Sequence, residues 1–436
     1  MTRPVPPAGP SPVWQPYTQM KTAPPPLLVE RGEGVWLHLA DGRRVMDCIS
    51  SWWVTMHGHG HPALAEALHA QALVLEQVIF AGFTHEPAER LARAVLQRLP
   101  APLTRVFYSD NGSTAVEAAM KMAFQFWQNR GQTERTGFLA FEGGYHGDTF
   151  GAMAAGASMS WWAPFKPLLC AVDLVPFPHT WEADADVEAR EAQALAALEA
   201  KLDAAPRRYA ALLLEPLVQG AGGMRLCRPE FLRSLVALAK SRGILVIFDE
   251  VMTGFGRTGE LFACAKAGAT PDILCLSKGL SGGCLPLAVT VATEQVYEAF
   301  LSDDAGRMFF HGHSYTGNPL ACATGLASLE LMTDATPRFR AMEATHRRLA
   351  AEHLADLPAV ERLRFCGTIM AFDVRSRGPG GYFDATGPVL KRRFLEEGFL
   401  IRPLGNTVYL LPPYCITDEQ LADAYLILRK VVAEVG

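Results

Sequence analysis

Two apolar runs near the middle of the chain each lead into charged side chains. GILVIFDE ends in Asp249 and Glu250, and DILCLS is followed directly by Lys278. If both runs are parallel strands, these groups lie at the carboxyl edge of a sheet, where ligands bind. A lysine is costly to place in an apolar setting unless its charge is removed or used. A Schiff base does both, because the ε-amine becomes an imine with an aldehyde.

A carboxylate must accompany such a lysine. The imine acts as an electron sink only beside a ring whose nitrogen stays protonated, and a fixed carboxylate keeps it so. Asp249, at the end of the preceding predicted strand, is the candidate. The two residues together therefore predict an aldehyde cofactor with a basic ring.

An anion site is predicted where a strand passes into a helix. The run YSDNGSTAVEAAM supplies the strand, the turn Asn111-Gly112-Ser113 and then the helix. Backbone N–H groups and the Ser113 hydroxyl can converge there on a phosphate. Tyr145 in FEGGYHGDTFGAM is flanked by glycines that allow close backbone approach, so its side chain can stack on a flat ring.

Each of these four features also has an ordinary structural explanation. A lysine after a strand often extends along the surface to solvent, and an aspartate can cap a helix. An Asn-Gly-Ser turn usually caps the helix that it precedes, and a tyrosine among glycines usually packs. Their order, with the phosphate turn first, then the aromatic ring, the aspartate and the lysine, favours a pyridoxal 5'-phosphate (PLP) site.

Two further motifs could indicate other classes of protein. GFGRTG at residues 254–259 spells a dinucleotide fingerprint, which would suit a nucleotide-binding regulatory protein. No strand leads directly into its glycines, so we expect no nucleotide there. HGHGH at residues 57–61 could suggest a metal, but structural zinc needs closer partners or thiolates. We expect a turn leading into a helix after Pro62, and no metal.

The elements that must position the candidate residues alternate along the chain. Between about residues 100 and 295, short β-rich runs alternate with helical patterns, which is typical of βαβ units. The predicted strands are RVFYSD, YAALLLEP, GILVIFDE, DILCLS and LAVTVAT. We therefore predict an α/β fold whose large domain has a mostly parallel sheet sandwiched by helices.

The first helix of this region is strongly patterned. STAVEAAMKMAFQFWQ has an apolar face at helical spacing, formed by Val116, Met120, Ala123 and Trp127. Thr114 and Glu117 have the spacing of a capping box at its start.

The two ends of the chain differ from this middle part. GVWLHLADGRRVMDCIS contains two extended runs around Asp41-Gly42, a strong hairpin signal, and should lie outside the main sheet. After about residue 330, helical and strand-like segments predict a smaller α+β domain. We divide the chain into residues 1–60, which complete the small domain, residues 61–330, the large PLP-binding domain, and residues 331–436. The Pro-rich residues 1–12 are predicted to form a loose arm and not a signal peptide.

The composition favours small-molecule partners. The 436 residues carry 40 basic and 45 acidic side chains, a net charge of -5, with no dense basic run. We expect neither a nucleic-acid surface nor a membrane. Nine scattered cysteines without a CxxC pair argue against a disulfide framework and favour the cytoplasm.

The strongest motifs resemble a known family. LVIFDEVMTGFGRTG followed by PDILCLSKGLSGG resembles the class III, fold-type I PLP-dependent aminotransferases, over nearly the whole chain. Within that family, WQPYTQM, ISSWW and LIRPLGNTVYLLPPY resemble members that convert 8-amino-7-oxononanoate to 7,8-diaminononanoate in biotin biosynthesis. A broad ω-amine:oxo-acid transaminase of the same family is the alternative.

The resemblance implies specific roles at the cofactor. Lys278 is the Schiff-base lysine and catalytic base, Asp249 lies under the ring nitrogen, Tyr145 covers the ring, and Gly112 and Ser113 bind the phosphate. The implied mechanism is a ping-pong transamination. S-adenosylmethionine is the implied amino donor, and lysine stays open as an alternative donor.

The resemblance also implies a homodimer with shared active sites. HGHSYTGNPLACA resembles the phosphate loop that the other subunit donates, where most relatives have threonine and this chain has Ser314. Whether Ser314 or Thr316 makes the contact stays open. Arg402 would bind the substrate carboxylate, in a pocket shaped by Tyr17, Trp52, Trp53, Asp148 and Tyr409. A long apolar chain with a terminal carboxylate suits aromatic walls with an arginine at the end.

Overall fold

The computed structural model describes residues 11–156, 159–376, 378 and 380–435. Most of the predicted loose arm, residues 1–10, lies outside the described residues.

The N-terminal region forms a small antiparallel sheet and the first helices. Its strands are β1 (Val29–Glu33), β2 (Trp36–Leu39) and β3 (Arg44–Asp47), and its helices are α1 (Ser50–Trp53), α2 (Pro62–Ala72) and α3 (Glu86–Leu96). β2 pairs antiparallel with β3 across Asp41-Gly42, so the hairpin prediction is confirmed. α1 is a distorted turn, because Ser50, Ser51 and Trp53 have positive φ.

The middle of the chain contributes the large sheet. Its strands, with a short separate hairpin β8–β9, are β4 (Leu103–Ser109), β5 (Gly137–Phe141), β6 (Val172–Val175), β7 (Tyr209–Leu214), β8 (Val218–Gln219), β9 (Arg225–Leu226), β10 (Leu245–Asp249), β11 (Ile273–Leu276) and β12 (Ala288–Thr293). Over the described residues the order is β4-β12-β11-β10-β7-β5-β6. β12 runs antiparallel to both its neighbours, and the pairs from β11 to β6 are parallel. The predicted mostly parallel α/β architecture is confirmed.

Helices cover this sheet. They are α4 (Gly112–Asn129), α5 (Phe150–Ala155), α6 (Val187–Ala204), α7 (Pro229–Ser241), α8 (Ala263–Ala267), α9 (Glu294–Glu298) and α10 (Pro319–Leu331), with 3₁₀ turns at Ser160–Leu168, Lys278–Ser281 and Ala305–Arg307. The predicted apolar face of α4 is buried. No helix in the described parts of the chain is long and apolar enough to cross a bilayer.

The predicted capping box of α4 is wrong by one turn. Asn111 is the cap: its Oδ1 accepts from the Thr114 N–H at 3.1 Å, and its own N–H donates to Thr114 Oγ1. Thr114 is the third helical residue, so its N–H is one of the donors that need a cap. Glu117 instead accepts from the N–H groups of Gly151 and Ala152 at the start of α5.

The C-terminal region joins the N-terminal one. It contains the strands β13 (Val360–Cys366), β14 (Ile369–Val374), β15 (Phe399–Leu400) and β16 (Thr407–Leu410) and the helices α11 (Thr336–His353), α12 (Thr386–Glu396) and α13 (Asp418–Val435). β15 pairs parallel with β3, which gives a sheet of order β1-β2-β3-β15. Met46 and Cys48 share one apolar core with Phe372 and Leu428. The division at residues 60 and 330 stays a prediction.

Candidate active site

A cavity of about 680 Å³ lies at the carboxyl edge of the large sheet. The structure brings together in its wall Gly112, Ser113, Tyr145, Asp249 and Lys278. Each follows or ends a strand of that sheet, so the topology collects them from distant parts of the sequence.

Lys278 begins a 3₁₀ turn directly after β11 and Ser277. Its backbone is in the left-handed region, with φ at +45°, which is unfavourable for a side chain with a Cβ and must be held by its surroundings. Its Nζ lies 5.1 Å from the centroid of the Trp53 ring. Burial lowers the pKa of this amine, and the carboxylates of Asp249 and Glu215 oppose that shift. The balance favours an amine that loses its proton readily.

Asp249 is held from two sides at the end of β10. Its Oδ2 lies 2.7 Å from His146 Nδ1, and its Oδ1 accepts from the Val251 N–H at 3.0 Å. Both side chains are buried. The other ring nitrogen of His146, Nε2, is buried without a partner among the described residues. His146 is a residue that the sequence reasoning missed, although it follows Tyr145 directly.

The start of α4 forms the anion end of the cavity. Gly112 has no room for a side chain, since a Cβ there would lie 2.6 Å from Val251 Cγ1. Ser113 Oγ lies 2.6 Å from Thr149 Oγ1 and accepts from the Thr149 N–H at 3.1 Å. The first N–H groups of this 18-residue helix have no intrahelical acceptor. They form the positive end of the helix dipole, which attracts an anion. Thr149 also lines the cavity and was not predicted.

Tyr145 and Glu215 are linked through the main chain. The Tyr145 N–H donates to Glu215 Oε1 at 2.9 Å, and the Gly220 N–H donates to Oε2 at 2.8 Å. Burial raises the pKa of Glu215 to about 7. The Tyr145 ring stacks on Trp162, with centroids 5.6 Å apart. Glu215 was not predicted, although it is the last residue but one of the predicted strand YAALLLEP.

A second cavity, of about 120 Å³, adjoins the first, and Lys278 and Tyr145 line both. The remaining predicted substrate residues apart from Asp148 line it: Tyr17, Trp52, Trp53, Arg402 and Tyr409. Asp148 lies in the wall of the large cavity.

Arg402 lies beside an aromatic ring in the wall of this second cavity. Its guanidinium lies 4.6 Å from the centroid of the Trp52 ring. It forms no ion pair within the described residues. Trp53 Nε1 donates to the Tyr409 hydroxyl at 2.9 Å, which fixes the neighbouring ring. The Arg402 donors therefore remain available for a carboxylate.

Tyr17 connects the two cavities. Its hydroxyl donates to the Asp148 carboxylate and lies 3.2 Å from the Tyr145 hydroxyl. Burial, and then Asp148, raise the pKa of Tyr17 to about 12, so this hydroxyl stays protonated near neutral pH.

Ser314 and Thr316 line neither cavity of the single chain. The Ser314 carbonyl accepts from Gln77 Nε2, and Thr316 Oγ1 bonds to the main chain of His313. Their predicted contact with a phosphate involves another subunit and stays a prediction.

Residues of the two alternative motifs contact other parts of the protein. A Cβ on Gly256 would lie 2.5 Å from the Phe339 ring, so this glycine allows close packing. His57 lies 3.0 Å from Ser328 Oγ, and His59 pairs with Asp47 at 2.9 Å. Among the described residues, no group of three His, Cys, Asp or Glu side chains could hold a metal.

The donor set of the large cavity fits PLP. The lysine amine suits the aldehyde, and the buried carboxylate held by a histidine suits the ring nitrogen. The aromatic ring suits the face of the cofactor ring, and the helix N-terminus with its serine suits the phosphate.

Comparisons with known proteins agree with this geometry. A family model described as Aminotransferase class-III matches residues 17–432. A curated Synechococcus elongatus protein, named adenosylmethionine-8-amino-7-oxononanoate aminotransferase, is 53% identical, covering 97% of this chain and 99% of that protein. A Geobacter sulfurreducens protein of the same name is 41% identical, covering 94% and 93%.

Solved structures are similar in fold. The enzyme of that name from Methanocaldococcus jannaschii has a TM-score of 0.89 at 33% identity, with 97% of each chain covered. A PLP-bound amine transaminase from an uncultivated Pseudomonas species has a TM-score of 0.91 at 30% identity, with 98% of this chain and 100% of that chain covered.

Proposed function

The chain belongs to the class III aminotransferases, and from that premise we propose that it aminates 8-amino-7-oxononanoate to 7,8-diaminononanoate in biotin biosynthesis. S-adenosylmethionine is the proposed amino donor. The names of the relatives at 53% and 41% identity support both substrates. The observation that carries the proposal is the aromatic cavity that shares Lys278 with the cofactor cavity and has Arg402 in its wall.

PLP, when bound, supplies an aldehyde that joins an amine and a cationic ring that withdraws electrons from the carbon bearing that amine. The carboxylate of Asp249 holds a proton at the ring nitrogen, and His146 fixes the position of that carboxylate. Tyr145 covers one side of the cavity while Gly112, Ser113 and the start of α4 bind the phosphate.

Lys278 moves the proton. With the cofactor bound, its Nζ would be the group that takes a proton from the donor carbon bearing the nitrogen and gives it up again. Burial lowers the pKa of this amine, so the neutral form that accepts the proton is accessible. Donor and acceptor enter the same cavity in turn, in a ping-pong sequence, and Lys278 serves both halves.

Arg402 and the aromatic side chains select the acceptor. The charged guanidinium in the cavity wall binds a terminal carboxylate, and the Trp52 and Trp53 rings contact the apolar chain. The second candidate is a broad ω-amine transaminase, which the similarity to the Pseudomonas amine transaminase favours. Simple amines offer no carboxylate to Arg402, and an oxo-acid carries its carboxylate next to the ketone, whereas 8-amino-7-oxononanoate carries it at the end of a long apolar chain. The two candidates therefore differ in what Arg402 and the aromatic wall must bind.

Half-reactions of the purified, PLP-loaded protein test the proposal. We expect S-adenosylmethionine to bleach the cofactor absorption and 8-amino-7-oxononanoate to restore it, with 7,8-diaminononanoate detected by mass spectrometry. If lysine bleached the absorption and S-adenosylmethionine did not, only the proposed donor would change. Bleaching by alanine or simple amines, with no reaction of 8-amino-7-oxononanoate, would establish the broad transaminase instead.

Replacing Arg402 by methionine tests acceptor recognition. We expect kcat/KM for 8-amino-7-oxononanoate to fall about 100-fold, because a charge-assisted bond to the carboxylate is lost. For the methyl ester of the acceptor, kcat/KM should fall far less in this variant. For the free acid, kcat/KM of Arg402→Lys should lie between those of the unaltered enzyme and Arg402→Met. An unchanged kcat/KM for the free acid would show that another group binds the carboxylate.

As part of the same proposal, two copies of the chain form a homodimer in the cytoplasm. Apolar side chains exposed in the single chain support the dimer: Leu73, Val74, Ile79, Phe83, Phe310 and Tyr315. Two of the segments that carry them touch, since Gln77 Nε2 donates to the Ser314 carbonyl. This surface would bring Ser314 and Thr316 to the partner's phosphate. The free cysteines suit a reducing compartment.

A further inference from the structure

A third cavity, of about 410 Å³, lies beside the loop that precedes β9, against the strands β13, β14 and β16. We call it the arginine cavity, and define it by His179, Arg225, Arg364, Asp373 and Thr407. None of these five residues lines the two cavities of the active site.

Arg364 is fixed by the protein. It is 1% exposed, and it donates to the carbonyls of Met224 and Gly223 at 2.8 and 2.7 Å. Its Nη2 also donates to Asp373 Oδ1 at 2.8 Å, which in turn accepts from Thr407 Oγ1. Asp373 therefore already forms an ion pair with Arg364.

Arg225 has no such partner. Its Nη2 donates to the Glu142 carbonyl at 3.0 Å, and its Nε is buried without an acceptor among the described residues. Its guanidinium lies 5.8 Å from the Phe177 ring and occupies the space that a Cβ on Gly143 would take. Arg225 forms no ion pair with any described residue.

His179 provides a second unused donor. Its Nε2 is also buried without a partner in the described part of the chain. Burial, and then the charges of Arg364 and Arg225, lower the pKa of His179 to about 3, so the ring is neutral. A neutral imidazole can place its single proton on Nε2 and donate to an acceptor in the cavity.

The charges of the cavity do not balance. Arg225, Arg362 and Arg364 line it, and Arg362 approaches the same Asp373 at 3.5 Å. The other acid in the wall, Glu361, pairs with Arg375 at 2.7 Å. Burial lowers the pKa of the half-buried Arg225 guanidinium, and the nearby carboxylates of Glu215 and Glu142 oppose that shift without forming an ion pair with it among the described residues. A bound anion would pair with it directly.

We propose that the arginine cavity binds a small tetrahedral oxyanion, such as phosphate or sulfate, through Arg225 and His179. Two donors from different segments, with the fixed guanidinium of Arg364 in the same cavity wall, favour an anion with oxygens in several directions. The site is separate from the phosphate end of the cofactor cavity.

Calorimetric titration of the PLP-loaded enzyme with inorganic phosphate tests the proposal, with chloride keeping the ionic strength constant. We expect one saturable site per chain, competition by sulfate, and no change in the cofactor absorption. No saturable binding, or equal binding of acetate, would overturn the proposal. Loss of cofactor absorption in step with binding would also overturn it, because the phosphate would then occupy the cofactor site.

Variants locate the bound anion. Arg225→Gln should weaken phosphate binding about tenfold or more, as expected for loss of a charge-assisted bond. Arg348→Gln, on the exposed surface of α11, is the matched control and should bind as the unaltered enzyme does. His179→Phe keeps a ring and removes the donor, so it tests the site even if Arg225→Gln fails to fold. Unweakened binding in both cavity variants would overturn the assignment.

Discussion

Replacing Lys278 by alanine should lower turnover about 10⁴-fold, the upper range for loss of a positioned acid–base group. The variant loses both the amine that joins the cofactor and the base at the meeting point of the two cavities. The protein should still fold, because the Lys278 side chain makes no hydrogen bond within the described residues. The measurement is kcat for 7,8-diaminononanoate formation, with circular dichroism to check the fold.

Two controls make this result specific. Lys240→Ala removes a more exposed lysine elsewhere on the large domain and should leave kcat unchanged. Borohydride treatment of the PLP-loaded enzyme, followed by peptide mass spectrometry, should find the cofactor on the peptide that contains Lys278. Modification at another lysine, or near-normal turnover of Lys278→Ala, would contradict the assignment.

Replacing Asp249 by asparagine should lower kcat about 10³-fold, the size expected when one preorganised electrostatic partner is lost. Asparagine keeps an acceptor for the Val251 N–H and a similar volume, so the main loss is the negative charge. The ring nitrogen would then lose its proton more easily, and the cofactor absorption should shift with it. Steady-state kinetics and the absorption spectrum measure the two effects together.

His146→Gln supplies the graded control for Asp249. It removes the ring that lies 2.7 Å from Asp249 Oδ2 and leaves the carboxylate in place. We expect a loss of about tenfold in kcat, well below that of Asp249→Asn, since His146 acts by positioning. Equal kcat in Asp249→Asn and the unaltered enzyme would contradict the role of the carboxylate.

The elements that position the site could be predicted because each has a local signal. The alternation of apolar runs and helical patterns predicted the strands that end at Asp249 and precede Lys278, and those strands occur. Asp41-Gly42 predicted its hairpin because a tight turn has a strong sequence preference. The roles of Tyr145, Gly112 and Ser113 remain predictions, though all three line the cavity.

The missed residues depend on neighbours that are distant in sequence. His146 faces Asp249 only because β5 and β10 end at the same edge of the sheet. Glu215 binds the Tyr145 N–H across 70 residues, and an acid at the end of a buried strand was the available signal. The cap of α4 was misplaced because Asn111 and Thr114 both suit a cap, and the sequence does not locate the first helical residue.

The pairing of β3 with β15 has a consequence for how this chain is made. Synthesis on the ribosome releases β3 long before Phe399, so this edge of the N-terminal sheet has no neighbour until Phe399 and Leu400 have emerged. Trp52 and Trp53 follow β3 within six residues. Arg402 and Tyr409, which line the same cavity, come after Phe399, so this wall cannot be completed earlier either. The lysine and its aspartate can assemble first, and acceptor selection arises only after Phe399 and the residues that follow it have emerged.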